Sequence, residues 1–148
     1  MIYRANIKIA PNFSLYEAIE WGKLLGQSKK DQDLSMRYAL DSLTDQVFAN
    51  ICFQASRMQQ LRDTLNEIYP EHNVRIRITS WLRGEKWELY KGRDGSSQHT
   101  KGLATDYIIM GLPKKLQKEA KAFSETYFID GKTIPYETFT HNDCRGLM

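Results

Sequence analysis

A chain of 148 residues in which 41% are hydrophobic and 26% charged is long enough for one real core, too short for two comfortable domains, and too ordinary for the disordered or fibrous classes. Lys and Arg exceed Asp and Glu by three, 21 against 18, but they are spread along the chain with no dense basic run, so nucleic acid is not an expected partner. No apolar stretch reaches eighteen residues, and Met1–Ile9 lacks an apolar core of signal-peptide length; this argues against membrane insertion and predicts a soluble protein made in the cytoplasm without a secretion address.

In chain order, Ser14 followed three residues on by Glu17 matches a capping box, and Leu15, Ala18 and Ile19 follow at helical spacing, so a helix opens within Asn12–Ile19. Residues 26–35, which include Lys29, Lys30, Asp31, Gln32 and Asp33, are polar and read as a loop. Leu43, Val47, Ile51, Met58, Leu61 and Leu65 recur at spacings of three, four and seven and predict a long helix over about 40–68, ended by Pro70. Val74–Thr79 alternates apolar and polar side chains as a half-buried strand does. Residues 80–98 read as mostly irregular, with turns at Gly84, Gly92 and Gly95.

The apolar run around 104–110 predicts a further strand, and Pro113 suits the first turn of a helix carrying Leu116, Ala120, Phe123 and Tyr127. A turn at Asp130-Gly131-Lys132 leads to a last short strand near Ile134–His141. With no repeat, low-complexity tract or linker, the expected fold is α+β: one domain, helices first, on a small antiparallel sheet. Cys52, in the apolar helical pattern, and Cys144 both read as thiols, since one pair cannot define a disulfide scaffold.

The chemistry-bearing stretch is Ser96–Asp106. It sets His99 and Asp106 seven positions apart, with Gly102 between them and the apolar Tyr107–Met110 directly after. A carboxylate at the edge of a core needs a cationic or metal partner. His141 sits in the polar cluster Thr140-His141-Asn142-Asp143. Ligands from a loop, a strand start and a strand end can converge over a sheet edge, and His, Asp and His form a three-ligand set for Zn²⁺ with the fourth position open to water. The same residues also read without a metal, His99 as an exposed loop histidine, Asp106 as a turn cap and His141 as a satisfied strand-end side chain. His72, between Glu71 and Asn73, reads as surface.

Ser97-Gln98-His99-Thr100-Lys101-Gly102-Leu103-Ala104-Thr105-Asp106 resembles the Ser-x-His-x-x-Gly-x-Ala-x-Asp signature of the zinc D-alanyl-D-alanine carboxypeptidase family, which includes phage L-alanyl-D-glutamate endopeptidases. Ile78-Thr79-Ser80-Trp81-Leu82-Arg83 is similar to that family's strand ending in Thr-Ser-x-x-Arg, and Phe139-Thr140-His141-Asn142-Asp143-Cys144-Arg145-Gly146 resembles its closing segment. Asn12–Glu17 and Leu61-Arg62-Asp63 look like the opening and the long helix of the single-domain, phage and prophage branch. The resemblance runs over most of the chain in family order.

The resemblance implies a Hedgehog/DD-peptidase-like fold and a monomeric zinc peptidase acting on peptidoglycan stem peptides, with His99, Asp106 and His141 as metal ligands. In phage or prophage form such an enzyme would reach the wall through lysis or virion machinery. A bound metal lowers the pKa of its water and polarises the scissile carbonyl. Arg83, by position, would stabilise the oxyanion and hold a substrate carboxylate, and Ser97 would orient substrate or shape the turn. Many relatives carry a general base three residues before the last histidine, where this chain has Thr138. Glu137 and Asp143 both stand at an even spacing from His141 and so share its face of a regular strand; Glu137 is slightly favoured. Gly92-Arg93-Asp94-Gly95 also lacks the asparagine and paired glycine of many relatives. The rival expectations are a zinc-containing cell-wall-binding or phage structural module without turnover, and nucleic-acid binding through Arg75, Arg77, Arg83 and Arg93.

Overall fold

The computed structural model describes residues 7–128 and 131–144. Two short strands, β1 (Lys8–Ala10) and β2 (Phe13–Ser14), pair as an antiparallel hairpin. Four helices follow: α1 (Leu15–Ile19), α2 (Trp21–Leu24), α3 (Lys29–Asp41) and the long α4 (Asp45–Ile68). The rest of the chain alternates strand and helix, with β3 (Arg75–Ser80), α5 (Glu85–Tyr90), a 3₁₀ turn at Gln98–Lys101, β4 (Ala104–Met110), α6 (Lys114–Tyr127), β5 (Lys132–Pro135) and β6 (Thr140–Asp143). The four later strands form one antiparallel sheet in the order β3-β4-β6-β5. The architecture is therefore α+β with two small antiparallel sheets.

The core lies between α4 and one face of the larger sheet. Ile51, Ala55, Met58, Leu61 and Leu65 recur at intervals of three and four along α4 and are fully buried. They meet Ile76 and Ile78 of β3 and Tyr107 and Ile109 of β4 in one apolar cluster. On β3 the alternation is clean, with Arg75 and Arg77 exposed and Ile76 and Ile78 inside. Burying each large apolar side chain in this cluster contributes roughly 1.5–3 kcal/mol before chain entropy is counted.

Local signals explain most element ends. The Ser14 amide donates to Glu17 Oε1 at 3.0 Å and opens α1. Thr44 Oγ1 accepts from the Val47 amide at 3.1 Å and opens α4, four to five residues later than its apolar spacing predicts. Pro113 caps α6. Cys52 and Cys144 are thiols, neither of them in a disulfide.

Several expectations require correction. Residues 29–35 are the first half of α3, not loop; Ser28 Oγ caps it through the Asp31 amide at 3.2 Å, and Lys29 pairs with Asp33 one turn on. Polar side chains with good local pairing hide a helix from an apolar-periodicity reading. Residues 85–90 form α5, a two-turn helix whose Trp87 and Glu88 are buried. The single last strand divides into β5 and β6, with residues 136–139 as a connection between them. Asp130 of the turn preceding β5, and Arg145 and Gly146 of the closing segment, lie outside the described residues.

Candidate metal centre

The register of the sheet builds the cluster. Asp106 on β4 pairs with Ser80 of β3 on one side and His141 of β6 on the other. Since alternate residues share a face, Asp106, His141 and Asp143 all point away from the α4 side, while Thr105 and Asn142 point toward it. His99 arrives from the 3₁₀ turn preceding β4. One ligand atom from each of His99, Asp106 and His141 lies within 4.8 Å of the others, so the three residues form a buried cluster that could hold a metal ion.

His99 is fully buried, and its orientation is fixed at both ends. Its Nδ1 lies 2.8 Å from the Trp81 carbonyl oxygen, which only accepts, so Nδ1 carries the proton and Nε2 presents a lone pair. The Arg83 amide donates back to the His99 carbonyl at 3.1 Å, and the Trp81 indole donates to the Gly102 carbonyl at 3.2 Å. Gly102 has φ +76°, and a Cβ there would come within 2.8 Å of Ile51 on α4. Only glycine lets the turn close against the long helix. The Ser97 hydroxyl accepts from the His99 amide at 3.2 Å and so shapes this turn.

The result is a buried imidazole nitrogen, His99 Nε2, with no hydrogen-bond partner within 3.5 Å of suitable geometry. Its nearest polar neighbour is Asp106 Oδ1 at 3.3 Å. The same carboxylate oxygen lies 2.9 Å from His141 Nδ1, and the far nitrogen of that ring, Nε2, lies 2.9 Å from Asp143 Oδ2. Asp143 is fully buried and holds His141 from behind. An orphaned donor atom facing a carboxylate and a second imidazole is the arrangement a cation completes.

Electrostatics agree with this. Burial holds His99 below the usual histidine range, overcoming the pull of the nearby Asp106 carboxylate, so the ring is neutral and ready to ligate. Burial pushes the Asp106 carboxyl upward, but its hydrogen bond with His141, the neighbouring His99 ring and the charge of Arg83 outweigh it and hold it below the usual carboxylate range, ionised. Burial likewise opposes charge on His141, and the flanking Asp106 and Asp143 raise it nonetheless.

Arg83 and Ser97 both border the cluster, and Glu137 does not. Arg83 Nη2 approaches Asp106 Oδ2 at 3.6 Å, on the side away from the histidines. A cavity of about 240 Å³ touches Asp106 and Arg83 and is walled by Trp21, Trp87 and Phe139. A second cavity, about 290 Å³, touches His141 and Asp143 and is otherwise lined by Ser96, Ser97 and Gln98. Glu137 is exposed in the connection between β5 and β6 and lines a third cavity with Lys114, Lys118 and Lys121 of α6. Because residues 136–139 are not strand, the alternation that would bring Glu137 onto the face of His141 does not apply. For Asp143 it does.

Two features escaped the sequence reading. Glu88, fully buried on α5, lies 3.7 Å from Arg83 Nε and is also hydrogen-bonded by Arg93 Nε. On the opposite face of the sheet, Gln54 of α4 donates to Thr105 Oγ1 at 3.0 Å and to Asn142 Oδ1 at 2.9 Å, and accepts from Cys144 Sγ at 2.7 Å. All four residues are fully buried, and Thr105 and Asn142 immediately precede Asp106 and follow His141. The one available clue was Gln54 itself, a polar residue at an inward position of the predicted helix.

No protein-family model, no curated protein and no solved structure matches this chain. The buried His99, Asp106 and His141 cluster is thus characterised by its own geometry as a candidate metal centre.

Proposed function

We propose that the protein is a zinc-dependent peptidase that hydrolyses peptidoglycan stem peptides. The observation that carries this reading is the buried, partnerless Nε2 of His99 beside Asp106 and His141. Tetrahedral ligands at about 2.0–2.1 Å from zinc stand about 3.3 Å apart, and His99 Nε2 and Asp106 Oδ1 are separated by 3.3 Å. Two imidazoles and one carboxylate from three different elements, bordered by cavities, are also the donor set of an open catalytic site rather than a closed structural one. The likeness of Ser97–Asp106, Thr79–Arg83 and Phe139–Asp143 to the zinc D-alanyl-D-alanine carboxypeptidase family supports the choice of substrate.

In this reading His99 Nε2, Asp106 Oδ1 and His141 Nδ1 hold the metal, which when bound supplies an activated water and polarises the scissile carbonyl. Asp143 keeps His141 in the tautomer whose Nδ1 is free to ligate. Arg83, largely buried and anchored by Glu88, offers fixed positive charge to an oxyanion forming next to Asp106. Of the two carboxylates weighed as general base, Asp143 is engaged with His141, and Glu137 stands outside the cluster beside the lysines of α6.

That position of Glu137 also favours a second reading, a zinc-containing module that binds cell wall without turnover. One experiment separates the two: metal analysis of the purified protein, with mass spectrometry of peptidoglycan digested by it. About one zinc per chain with new peptide products supports the peptidase; one zinc with retention on sacculi and no product selects the binding module. Absence of zinc together with wild-type behaviour of His99→Ala overturns both.

A further inference from the structure

We propose that the cavity between α6 and residues 136–140 is a second ligand site, separate from the metal cluster, and that it takes a small phosphate monoester carrying an apolar group. This site goes beyond the peptidase reading and does not depend on it. The cavity measures about 380 Å³, within the roughly 300–1,000 Å³ of typical ligand sites. It shares only Phe139 with the cavity beside Asp106, and none of His99, Asp106 and His141 lines it.

Lys114, Lys118 and Lys121 stand four and three residues apart on α6, so they share one side of the helix and line the same cavity. Like charges four residues apart slightly destabilise a helix, and among the described residues no carboxylate forms an ion pair with any of the three. Lys121 is nevertheless held in place: its ammonium donates to the carbonyl of Tyr136 and, at 3.5 Å, to that of Glu137. Neutral carbonyls fix an ammonium without cancelling its charge. Lys121 therefore ties α6 to the 136–139 connection and leaves a positioned cation at the cavity wall.

Charge and shape set the ligand class. Three lysines against one glutamate, Glu137, leave the cavity with a surplus of two positive charges. A phosphate monoester carries close to two negative charges at pH 7 and three strong acceptor oxygens, one for each ammonium. A carboxylate brings a single charge and two oxygens. Lysine binds phosphate as a point charge, and no arginine lines the cavity to supply the planar fork that favours a carboxylate. The apolar part of the lining comes from Ile108 of β4 and Phe139, both half-buried, and the Phe139 ring stacks on Tyr136 with centroids 4.8 Å apart. That surface accommodates a ring or short alkyl group attached to the phosphate.

The test is a titration of the full-length, ¹⁵N-labelled protein followed by its amide shifts, with phenyl phosphate as the probe and benzoate, inorganic phosphate and methyl phenyl phosphate as comparisons. Phenyl phosphate is expected to bind roughly tenfold or more tighter than benzoate or the diester, which carry a single charge, and tighter than inorganic phosphate, which has no ring. Its shifts should centre on residues 114–121 and 138–140. The Lys114→Gln/Lys118→Gln variant should weaken binding about tenfold, Glu137→Gln should tighten it, and His99→Ala should leave it unchanged. Glutamine is a good helix former, and melting by circular dichroism establishes that each variant is folded. Absence of saturable binding, benzoate or the diester binding as tightly as phenyl phosphate, full retention in the double lysine variant, or shifts centred on residues 97–106 overturns the proposal. Neither zinc content nor peptide cleavage enters the readout, so its failure is distinct from failure of the peptidase reading.

Discussion

Asp106 Oδ1 stands 2.9 Å from His141 Nδ1 and 3.3 Å from His99 Nε2, so one carboxylate oxygen is shared by two imidazoles that reach it from different elements. Without a metal this sharing leaves His99 Nε2 unsatisfied. Asp106→Ala is therefore expected to weaken zinc binding by more than the roughly 100-fold that loss of an outer partner can reach. Competition against a chromogenic chelator measures this, and unchanged affinity would remove Asp106 from the ligand set.

Asp143 touches His141 at Nε2, on the side away from Asp106. If it positions the ligand, Asp143→Ala costs about 10–100-fold in metal affinity, and activity at saturating zinc recovers in large part. If instead it is the general base, affinity holds while turnover collapses at any zinc concentration. Measuring affinity and saturated turnover on the same variant, alongside Glu137→Gln, assigns the two carboxylates.

Acid should release the metal through His141. Its pKa is raised, burial being outweighed by the bonds to Asp106 and Asp143, so in the stripped protein protonated His141 contributes stability that is full below the unfolded value of about 6.5 and is lost as pH rises through the folded value. Ligation requires the neutral ring, and metal affinity runs in the opposite direction, rising across that same window. His99 is already held neutral by burial. The difference in melting temperature between zinc-loaded and chelator-treated protein is thus expected to grow with pH above about 6.5. A difference that shrinks over that interval would contradict His141 as a ligand.

Behind the cluster, Gln54 supplies the buried polar link between α4 and the two ligand strands. Gln54→Ala strands the polar groups of Thr105, Asn142 and the Cys144 thiol and opens a cavity, a loss of about 2–4 kcal/mol. Urea denaturation measures it. Zinc affinity should fall in the same variant, because Asp106 and His141 lose the register that Thr105 and Asn142 maintain; a purely local defect would lower stability and leave affinity intact.

The order of these residues along the chain determined a good part of the result. Apolar spacing from Val47 to Leu65 and alternation from Val74 to Thr79 reflect burial of one face of an element against a core, so α4 and β3 are legible locally. His99, Asp106 and His141 were legible as candidates from residue type and spacing beside an apolar strand and from the resemblance of Ser97–Asp106, although spacing alone also allowed each a plain structural role. α3 and α5 were not, since hydrogen bonding and side-chain pairing within polar segments leave no apolar stripe. What only the tertiary structure decided is where side chains meet across strands. The break at residues 136–139 takes Glu137 off the face of His141, the β4–β6 register sets Asp106 opposite His141, and Glu88 and Gln54 acquire their partners from segments far along the chain. Those contacts depend on how elements pack, which no spacing along one element encodes.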